Sequence, residues 1–290
     1  MKRKFGPFLF LLPSIGLLMA ILLYPLGFSL FYSFQNWNLQ ISPIPQGFVG
    51  FTNYVMAFRD PHFLTSLTNT MFITFISTTL QLVLGMGIAL LLNARLKGTS
   101  LVRTLIILPV TIAPLVVGFI FRYMLYSDGV LSFILRTLGF SLPEAGILGS
   151  GATAIWAIIF TDTWQWTPFF AIILLAGLQA IPTHILEAAK VDGASGLQVF
   201  WYIMLPHLKF VLSIVLMIRF MKTFNLFDII HILTRGGPGA ATRTLSYNLY
   251  YAGLRYFNVG YASALAWIMI AIVIVLINIY IAIAFKEKEL

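Results

Sequence analysis

The chain is organised as long apolar runs separated by polar connections. A membrane hydrocarbon core of about 30 Å needs around 20 mostly apolar residues per helix. Six runs reach this length, and they are Phe8 to Phe31, Thr70 to Leu92, Leu101 to Phe121, Thr153 to Leu175, Leu208 to Leu233 and Tyr261 to Phe285. The pattern predicts an all-α membrane protein of six transmembrane helices, which together form a single domain over residues 1–290.

The composition agrees with this prediction, because only 9% of the 290 residues are charged while 60% are hydrophobic. A water-soluble protein carries about 25% charged residues. The chain has no cysteine, which excludes a disulfide framework and thiolate metal ligands. Its net charge of +9 is not gathered into a stripe or tail, so we expect a lipid bilayer around the chain and no nucleic acid partner.

The positions of lysine and arginine predict the orientation, because cytoplasmic connections are enriched in these residues. With the N-terminus inside, ten cations fall on cytoplasmic segments, namely Lys2, Arg3, Lys4, Arg95, Lys97, Arg103, Lys190, Lys209, Lys286 and Lys288. Six fall on outside segments, namely Arg59, Arg122, Arg136, Arg235, Arg243 and Arg255. We therefore expect both termini in the cytoplasm of a multi-pass protein of the bacterial plasma (inner) membrane. The first run exceeds the roughly 7 to 15 residues of a secretory signal core and should be retained as a span.

Three longer outside segments carry local signals for turns and helix ends. Asp60-Pro61 is typical of a cap followed by proline at the first helical position, and we expect a short surface helix in this segment. Asp128-Gly129 predicts a turn, and the glycines that follow Thr234 predict a helix end. The aromatic residues of these segments suit either interfacial anchors or contacts to another protein.

The longest cytoplasmic connection, residues 179–207, predicts two short helices joined by a turn. Pro182-Thr183 can begin the first helix and Gly193-Ala194 can end it. Ser195 and Gln198 match a capping box, in which both side chains satisfy backbone donors at a helix start. We expect the second helix to end near Ile203, where Leu205-Pro206 breaks it. Such a pair fits either a groove on a cytoplasmic partner or the lipid headgroups.

The same connection carries Glu187-Ala188-Ala189, then Asp192-Gly193-Ala194, and Leu205-Pro206 at a fixed distance. This pattern resembles the EAA loop of binding-protein-dependent ABC importer permeases. Further segments are similar to the carbohydrate branch, the maltose- and glycerol-phosphate-type permeases, and nearly the whole chain is covered. These segments are Phe48 to Tyr54, Phe227-Asp228, Leu233 to Pro238 and Gly260 to Ala264.

The resemblance implies a type I ABC importer permease fold and a coupling role for this loop. Its coupling residues would be Glu187, Ala188, Ala189, Asp192, Gly193, Leu205 and Pro206, with Glu187 pairing with a basic residue of an ATPase subunit. The implied partners are a second homologous permease subunit, two ATPase subunits and an extracytoplasmic solute-binding protein. ATP and Mg belong to the ATPase, and we expect no cofactor in this chain, since it contains no Gly-Lys dipeptide and hence no phosphate-binding loop of the Walker type.

Charged residues inside the predicted spans are candidates for the transport path, because such charges usually face a cavity or a partner. Arg219, Lys222, Asn225 and Asp228 recur at a spacing of three and predict a polar stripe on span five. Counting about 1.5 Å per residue from opposite membrane faces puts Asp162 of span four at the depth of Arg219. We therefore predict an ion pair between Asp162 and Arg219.

In maltose-type permeases the sugar is contacted from the helices on either side of the EAA loop. By that resemblance the substrate path would include Asp162, Trp164, Gln165, Trp166, Phe169, Arg219, Lys222 and Thr223. Aromatic faces with a few oriented polar groups suit a sugar or sugar-like solute. Two bases against two acids favour a neutral sugar over a phosphorylated or sulfonated one. The alternative is that the tryptophans are helix packing and the charges neutralise one another.

Two other functional classes are weaker. A secondary transporter could use Asp162 or Asp228 as an intramembrane ion or proton site, but it would give the cytoplasmic helix pair no purpose. An enzyme would need a nucleophile or a metal site. We predict neither catalytic residues nor a metal site, because His62, His184, His207 and His231 are scattered and no catalytic motif occurs.

Overall fold

The computed structural model describes residues 6–94 and 99–285, including the side chains of residues 11–94 and 101–285. The α-helices in this part of the chain are α1 (Gly6–Leu18), α2 (Tyr24–Ser33), α3 (Thr52–Arg59), α4 (Pro61–Asn93), α5 (Thr99–Thr111), α6 (Pro114–Leu125), α7 (Val130–Thr137), α8 (Gly151–Gln179), α9 (Thr183–Val191), α10 (Gly196–Val199), α11 (Leu205–Phe224), α12 (Asp228–Leu233), α13 (Leu245–Tyr250) and α14 (Val259–Ala284). Single π-helical turns at Met19–Leu23 and Phe200–Met204 join α1 to α2 and α10 to α11.

Six stretches of the described residues are long and apolar enough to cross a membrane, which confirms the predicted number of spans. These stretches are Leu11–Ser33, Pro61–Asn93, Pro114–Thr137, Gly151–Gln179, Gly196–Leu233 and Val259–Ala284. The side on which the termini lie stays a prediction. Part of its basis lies outside the described residues, namely Lys2, Arg3, Lys4, Arg95, Lys97, Lys286 and Lys288.

The third predicted span is not one helix. The run from Leu101 to Phe121 is divided into α5 and α6, and Ala113 between them has extended ψ of 135°. Proline disfavours helical geometry at the residue before it, so Pro114 ends one helix and begins the next. The prediction of a single helix over this run is therefore wrong.

The fifth predicted span begins earlier than expected, and its helix is interrupted before the predicted end at Leu233. Leu205-Pro206 does not break the helix, because the π-helical turn lets the Leu205 amide donate to the Phe200 carbonyl while Pro206 occupies the first turn of α11. Proline is tolerated in a first helical turn, where its missing N–H is not required. At the other end, α11 stops at Phe224 and three residues separate it from α12.

The chain divides into two compact units. The first comprises Met1–Leu64 and Asn248–Leu276, and the second comprises Thr65–Tyr247 and Ile277–Leu290. In the first unit, the Asn53 amide donates to the carbonyls of Ser33 and Gln35 at 2.9 Å each, which ties the short surface helix α3 to the end of α2. Asp60 caps α4 as predicted, with Oδ1 2.8 Å from the His62 nitrogen. The single-domain interpretation stays a prediction.

The second unit contains a buried apolar cluster made by α4, α8 and α11. We call it the apolar cluster, and its members are Met86, Ala89, Leu92, Phe170, Leu174, Leu175, Leu178, Ile181, Leu208 and Val215. Two glycines permit close helix approach beside it. A Cβ at Gly85 would collide with Phe170, and a Cβ at Gly177 would lie 2.5 Å from Leu208. Small residues at such crossings are typical of membrane helix packing.

Candidate functional site

The connection between α8 and α11 folds as the sequence predicts, as two short helices with a turn. Helix α9 is followed by Gly193, whose φ of +74° lies in the left-handed region that favours glycine. The Ser195 nitrogen donates to Gln198 Oε1 at 2.7 Å, and Ser195 Oγ accepts from the Gln198 nitrogen at 3.4 Å, which confirms the capping box. The connection is therefore an ordered pair of helices rather than an irregular loop.

The predicted coupling residues lie mostly on the surface of this connection. Glu187, Ala188, Asp192 and Gly193 are exposed, whereas Ala189 is buried. Neither carboxylate forms an ion pair within the part of the chain that the structure describes. Apolar side chains are exposed beside them, with Val191 at 87%, Leu197 at 70% and Tyr202 at 79% exposure. Leu205 and Pro206 lie at the start of α11, in the continuous helix.

A cavity of about 320 Å³ lies between the turn and α10. It is lined by Asp192, Gly193, Ala194, Gln198, Val199, Tyr202 and Ile203. The exposed apolar residues and the unpaired carboxylates border the same turn. This surface can bury apolar area and can pair with cations of another molecule.

The predicted ion pair between Asp162 and Arg219 is present and fully buried. Arg219 Nη2 donates to both carboxylate oxygens of Asp162 at 2.5 Å, and the two side chains are 0% and 2% exposed. Gln81 of α4 joins them, because its Oε1 accepts from Arg219 Nε at 2.8 Å and its Nε2 donates to Asp162 Oδ2 at 2.8 Å. We call these three side chains the charged ring. The ring connects α4, α8 and α11.

Residues of the predicted substrate path divide between two faces of α8. Trp164 and Trp166 are two positions apart, which places them about 200° apart around a helix. The Trp164 ring packs against Phe121 with centroids 5.2 Å apart, and it lines an apolar cleft of about 470 Å³. The Trp166 ring instead lies beneath the Arg219 guanidinium, 4.6 Å from its central carbon, and its centroid is 6.1 Å from that of Phe169.

The remaining path candidates are partly buried and partly exposed. Gln165 is fully buried and donates from Nε2 to the Ile112 carbonyl at 2.9 Å, and Thr223 is buried as well. Lys222 is exposed one turn of α11 from the buried Arg219. The polar stripe predicted on one helix is wrong, because α11 ends at Phe224 and Asp228 opens a different helix. The predicted path residues therefore do not share one surface.

Sequence reasoning missed Gln81, the third member of the charged ring. A signal for it exists in α4, whose buried face carries polar residues at helical spacing. These residues are Ser66, Thr70, Thr74, Ser77 and Gln81. A polar stripe within an apolar helix marks the face that points toward other helices, because burial against lipid would leave those groups unsatisfied.

Metal coordination finds no support in the described residues, which contain no group of three or more His, Asp or Glu side chains that could hold a metal ion. The four histidines lie on four different helices, with His62 on α4, His184 on α9, His207 on α11 and His231 on α12. Asp162 and Arg219, which the fold does bring together, form an ion pair rather than a metal site.

Comparison with known proteins identifies the family. Residues 81–286 match the family described as "Binding-protein-dependent transport system inner membrane component". The chain is 36% identical over 261 residues to the trehalose/maltose transport system permease protein MalF of Thermococcus litoralis, covering 89% of this chain and 85% of that protein. It is 36% identical over 266 residues to the sulfoquinovosyl glycerol transport system permease protein SmoG of Agrobacterium fabrum, covering 91% and 85%.

The fold agrees with a solved structure, the crystal structure of a bacterial ABC transporter involved in the import of the acidic polysaccharide alginate. The TM-score is 0.85 at 22% identity, and the match covers 99% of this chain and 98% of that chain. This family leaves no place for the secondary-transporter alternative, and its members are transport subunits rather than enzymes. The chain therefore belongs to the inner-membrane permease subunits of binding-protein-dependent ABC importers, as a multi-pass membrane protein.

Proposed function

We propose that this chain forms half of the translocation path of an ATP-driven importer for a sugar or sugar-like solute, and that residues 179–207 couple it to an ATPase. One observation carries the coupling role. The connection between α8 and α11 presents exposed Glu187 and Asp192, without ion-pair partners among the described residues, beside exposed Val191 and Leu197. A cleft that supplies a cation and apolar contacts would match this surface.

The partners follow from what the chain lacks and from the family. ATP binding needs a phosphate-binding loop, and this sequence has no Walker motif. Two ATPase subunits would bind ATP and Mg, a second homologous permease subunit would complete the path, and an extracytoplasmic solute-binding protein would deliver the solute. Docking of the connection onto a cytoplasmic ATPase requires both termini to be cytoplasmic, since four spans lie before the connection and two lie after it.

The substrate path would be lined by the accessible members of the predicted set, which are Trp166, Phe169 and Lys222. Asp162, Gln165, Arg219 and Thr223 would support these residues from behind, since all four are buried. Trp164 would contribute through the apolar cleft on the other face of α8. Because Asp162 neutralises Arg219 inside the bundle, we propose a neutral sugar over a phosphorylated or sulfonated one. The equal 36% identities to a trehalose/maltose permease and to a sulfoquinovosyl glycerol permease support a sugar or sugar-like solute, and the preference for a neutral one rests on the ion pair alone.

The coupling role is tested in proteoliposomes that contain the complete importer with its ATPase and binding protein. Glu187→Lys replaces an exposed negative charge of the connection with a positive one. Gly193→Val places a β-branched residue at a φ of +74°, which such residues rarely adopt. Both variants should insert normally and lose ATP-dependent uptake and binding-protein-stimulated ATP hydrolysis.

Gly193→Asn is the matched control, because asparagine tolerates the left-handed region. It should retain most of the uptake. Normal uptake by both Glu187→Lys and Gly193→Val would contradict the coupling role, and uptake by the permease chains without any ATPase would contradict the ATP-driven mechanism.

A further inference from the structure

Trp166 lies at the boundary between the charged ring and the accessible face of α8. Its indole is half-buried, whereas Arg219, whose guanidinium carbon lies 4.6 Å from the ring centroid, is 2% exposed. The cation therefore covers one face of the indole from the interior of the bundle. A guanidinium over a tryptophan face is an attractive contact, and the attraction strengthens when the pair is desolvated.

The guanidinium is fixed in turn by two other helices. Asp162 accepts from Nη2, while Gln81 accepts from Nε at 2.8 Å. The same Gln81 amide donates to Asp162 Oδ2 at 2.8 Å and to the Asp162 carbonyl at 3.2 Å. An amide meets all of these demands, because its oxygen accepts and its NH₂ group donates twice, whereas a hydroxyl has one proton to donate, a carboxylate only accepts and an aliphatic side chain does neither.

Gln81 of α4 therefore holds the Arg219 guanidinium in place, and the guanidinium in turn covers the Trp166 ring. Removal of Gln81 would leave the Asp162 pair in place but would free the guanidinium to rotate about its bond to the carboxylate. An indole whose covering cation rotates loses its fixed orientation. Ordering a side chain before its ligand arrives improves binding, because the entropic cost of immobilising that side chain does not have to be met on binding.

We propose that Gln81 is a positioning residue of the transport path, which holds Arg219 so that Trp166 presents a fixed aromatic face to a sugar ring. The inference rests on the proposed function for its substrate and on the structure alone for its geometry. It assigns a role in the path to α4, the helix that sequence reasoning left out of it.

The geometric part is tested by fluorescence anisotropy of Trp166 in the full chain, with the other five tryptophans, Trp37, Trp156, Trp164, Trp201 and Trp267, replaced by phenylalanine. Gln81→Met, which keeps the length and removes the amide, should lower the anisotropy of Trp166. Ser77→Ala is the matched control on the same buried face of α4, one turn from Gln81, and it should leave the anisotropy unchanged. Equal anisotropy in the Gln81→Met and Ser77→Ala chains would overturn the proposal.

The functional part is tested by a double-mutant cycle on trehalose uptake by the complete importer at saturating binding protein. Gln81→Met should lower the initial rate of trehalose uptake about three- to tenfold, the range that corresponds to weaker binding after the loss of one preordered side chain. In a Trp166→Leu background, the same change should have no further effect, since the group that it positions is absent. An equal loss in both backgrounds would show a general packing role and would overturn the proposal.

Two controls separate the possible failures. If Gln81→Met does not fold, Gln81→Asn retains an amide at a shorter reach, and it should still lower the Trp166 anisotropy. Absence of ATP-dependent uptake of trehalose by the unmodified importer would count against the proposed sugar, while the anisotropy difference would stand or fall independently.

Discussion

The apolar cluster and the charged ring are both buried where α4, α8 and α11 pack together, yet they hold these helices together in different ways. The cluster is held by close packing of apolar side chains, with Phe170, Leu174 and Leu208 at 0% exposure and two glycines that permit close helix contact. The ring is built from three polar groups, each of which satisfies the other two. A side chain lost from the cluster leaves a void, whereas loss of Asp162 or Arg219 from the ring leaves the other charge buried without its partner. The two regions should therefore differ in how they respond to single and combined substitutions.

The largest effect is expected from Arg219→Met, because it leaves the Asp162 carboxylate buried without its cation. Removing one partner of a buried ion pair typically destabilises by about 3 to 5 kcal/mol. The double variant Asp162→Leu with Arg219→Met removes both charges and should recover most of the loss, since apolar replacement of a whole pair is often neutral or stabilising. Unfolding of the detergent-purified chain measures both. A double variant no more stable than the single one would contradict the view that the unpaired Asp162 carboxylate causes the loss.

Truncation in the apolar cluster should give a smaller, graded loss. Phe170→Ala removes a fully buried ring that packs at the α4–α8 crossing. In water-soluble cores such a change costs about 3 to 5 kcal/mol. Here the loss should be lower, because lipid solvates the separated helices and only packing is lost. Phe170→Leu should lie between Ala and the unmodified chain in the same unfolding measurement. A loss for Phe170→Ala larger than that for Arg219→Met would reverse the ranking of the two regions.

The close α8–α11 approach beside the cluster can be tested with a single methyl group. At Gly177 a Cβ would lie 2.5 Å from Leu208 and 3.4 Å from Val211, so Gly177→Ala should destabilise by about 1 to 3 kcal/mol through overpacking. Gly87→Ala on α4 is the control, because nothing lies within 4 Å of the added atom. That variant should be neutral or slightly stabilising, since alanine favours a helix over glycine. Similar stabilities for the two variants would show that the approach does not constrain these helices.

The smallest effect is expected outside both buried regions, at the capping box of α10. Ser195→Ala removes the hydroxyl that accepts from the backbone N–H of Gln198 and should destabilise the start of α10 by about 1 kcal/mol. Because the site is exposed, the loss should be local, visible as faster amide exchange over Gly196–Val199 with little change in overall unfolding. Ser195→Thr should preserve the slow exchange. A global loss of stability from Ser195→Ala would show that the loop is coupled to the buried regions more tightly than its exposure indicates.

Much of the fold was predictable because it depends on patterns along the chain. Six apolar runs gave six spans, the capping box was read from Ser195 and Gln198, and counting residues from opposite membrane faces brought Asp162 to the depth of Arg219. The break before α6 also has a sequence signal in Pro114. The continuity of the helix across Pro206 has no comparable sequence signal. It depends on the π-helical turn at Phe200–Met204, whose residues are ordinary apolar and aromatic ones.

The candidate site was less predictable, because it depends on which face of a helix each side chain occupies and not only on its position along the sequence. Trp164 and Trp166 are close in sequence, but a helix directs them to different surroundings, and only Trp166 meets Arg219. Gln81 was missed because an uncharged amide in an apolar run gives a weak signal, and its importance arises from contacts to residues 81 and 138 positions away in the sequence. Such contacts follow from tertiary packing.

The uninterrupted path of backbone from Gly196 to Phe224 has a mechanical consequence. At 1.5 Å per residue these positions form a rod about 40 Å long, with its first joint at Asn225. If the π-helical turn at Phe200–Met204 keeps its shape, a tilt imposed at the α10 end moves the far end at the same moment. Closing of the path on one side of the bilayer and its opening on the other side would then occur together, because the same helix moves at both ends.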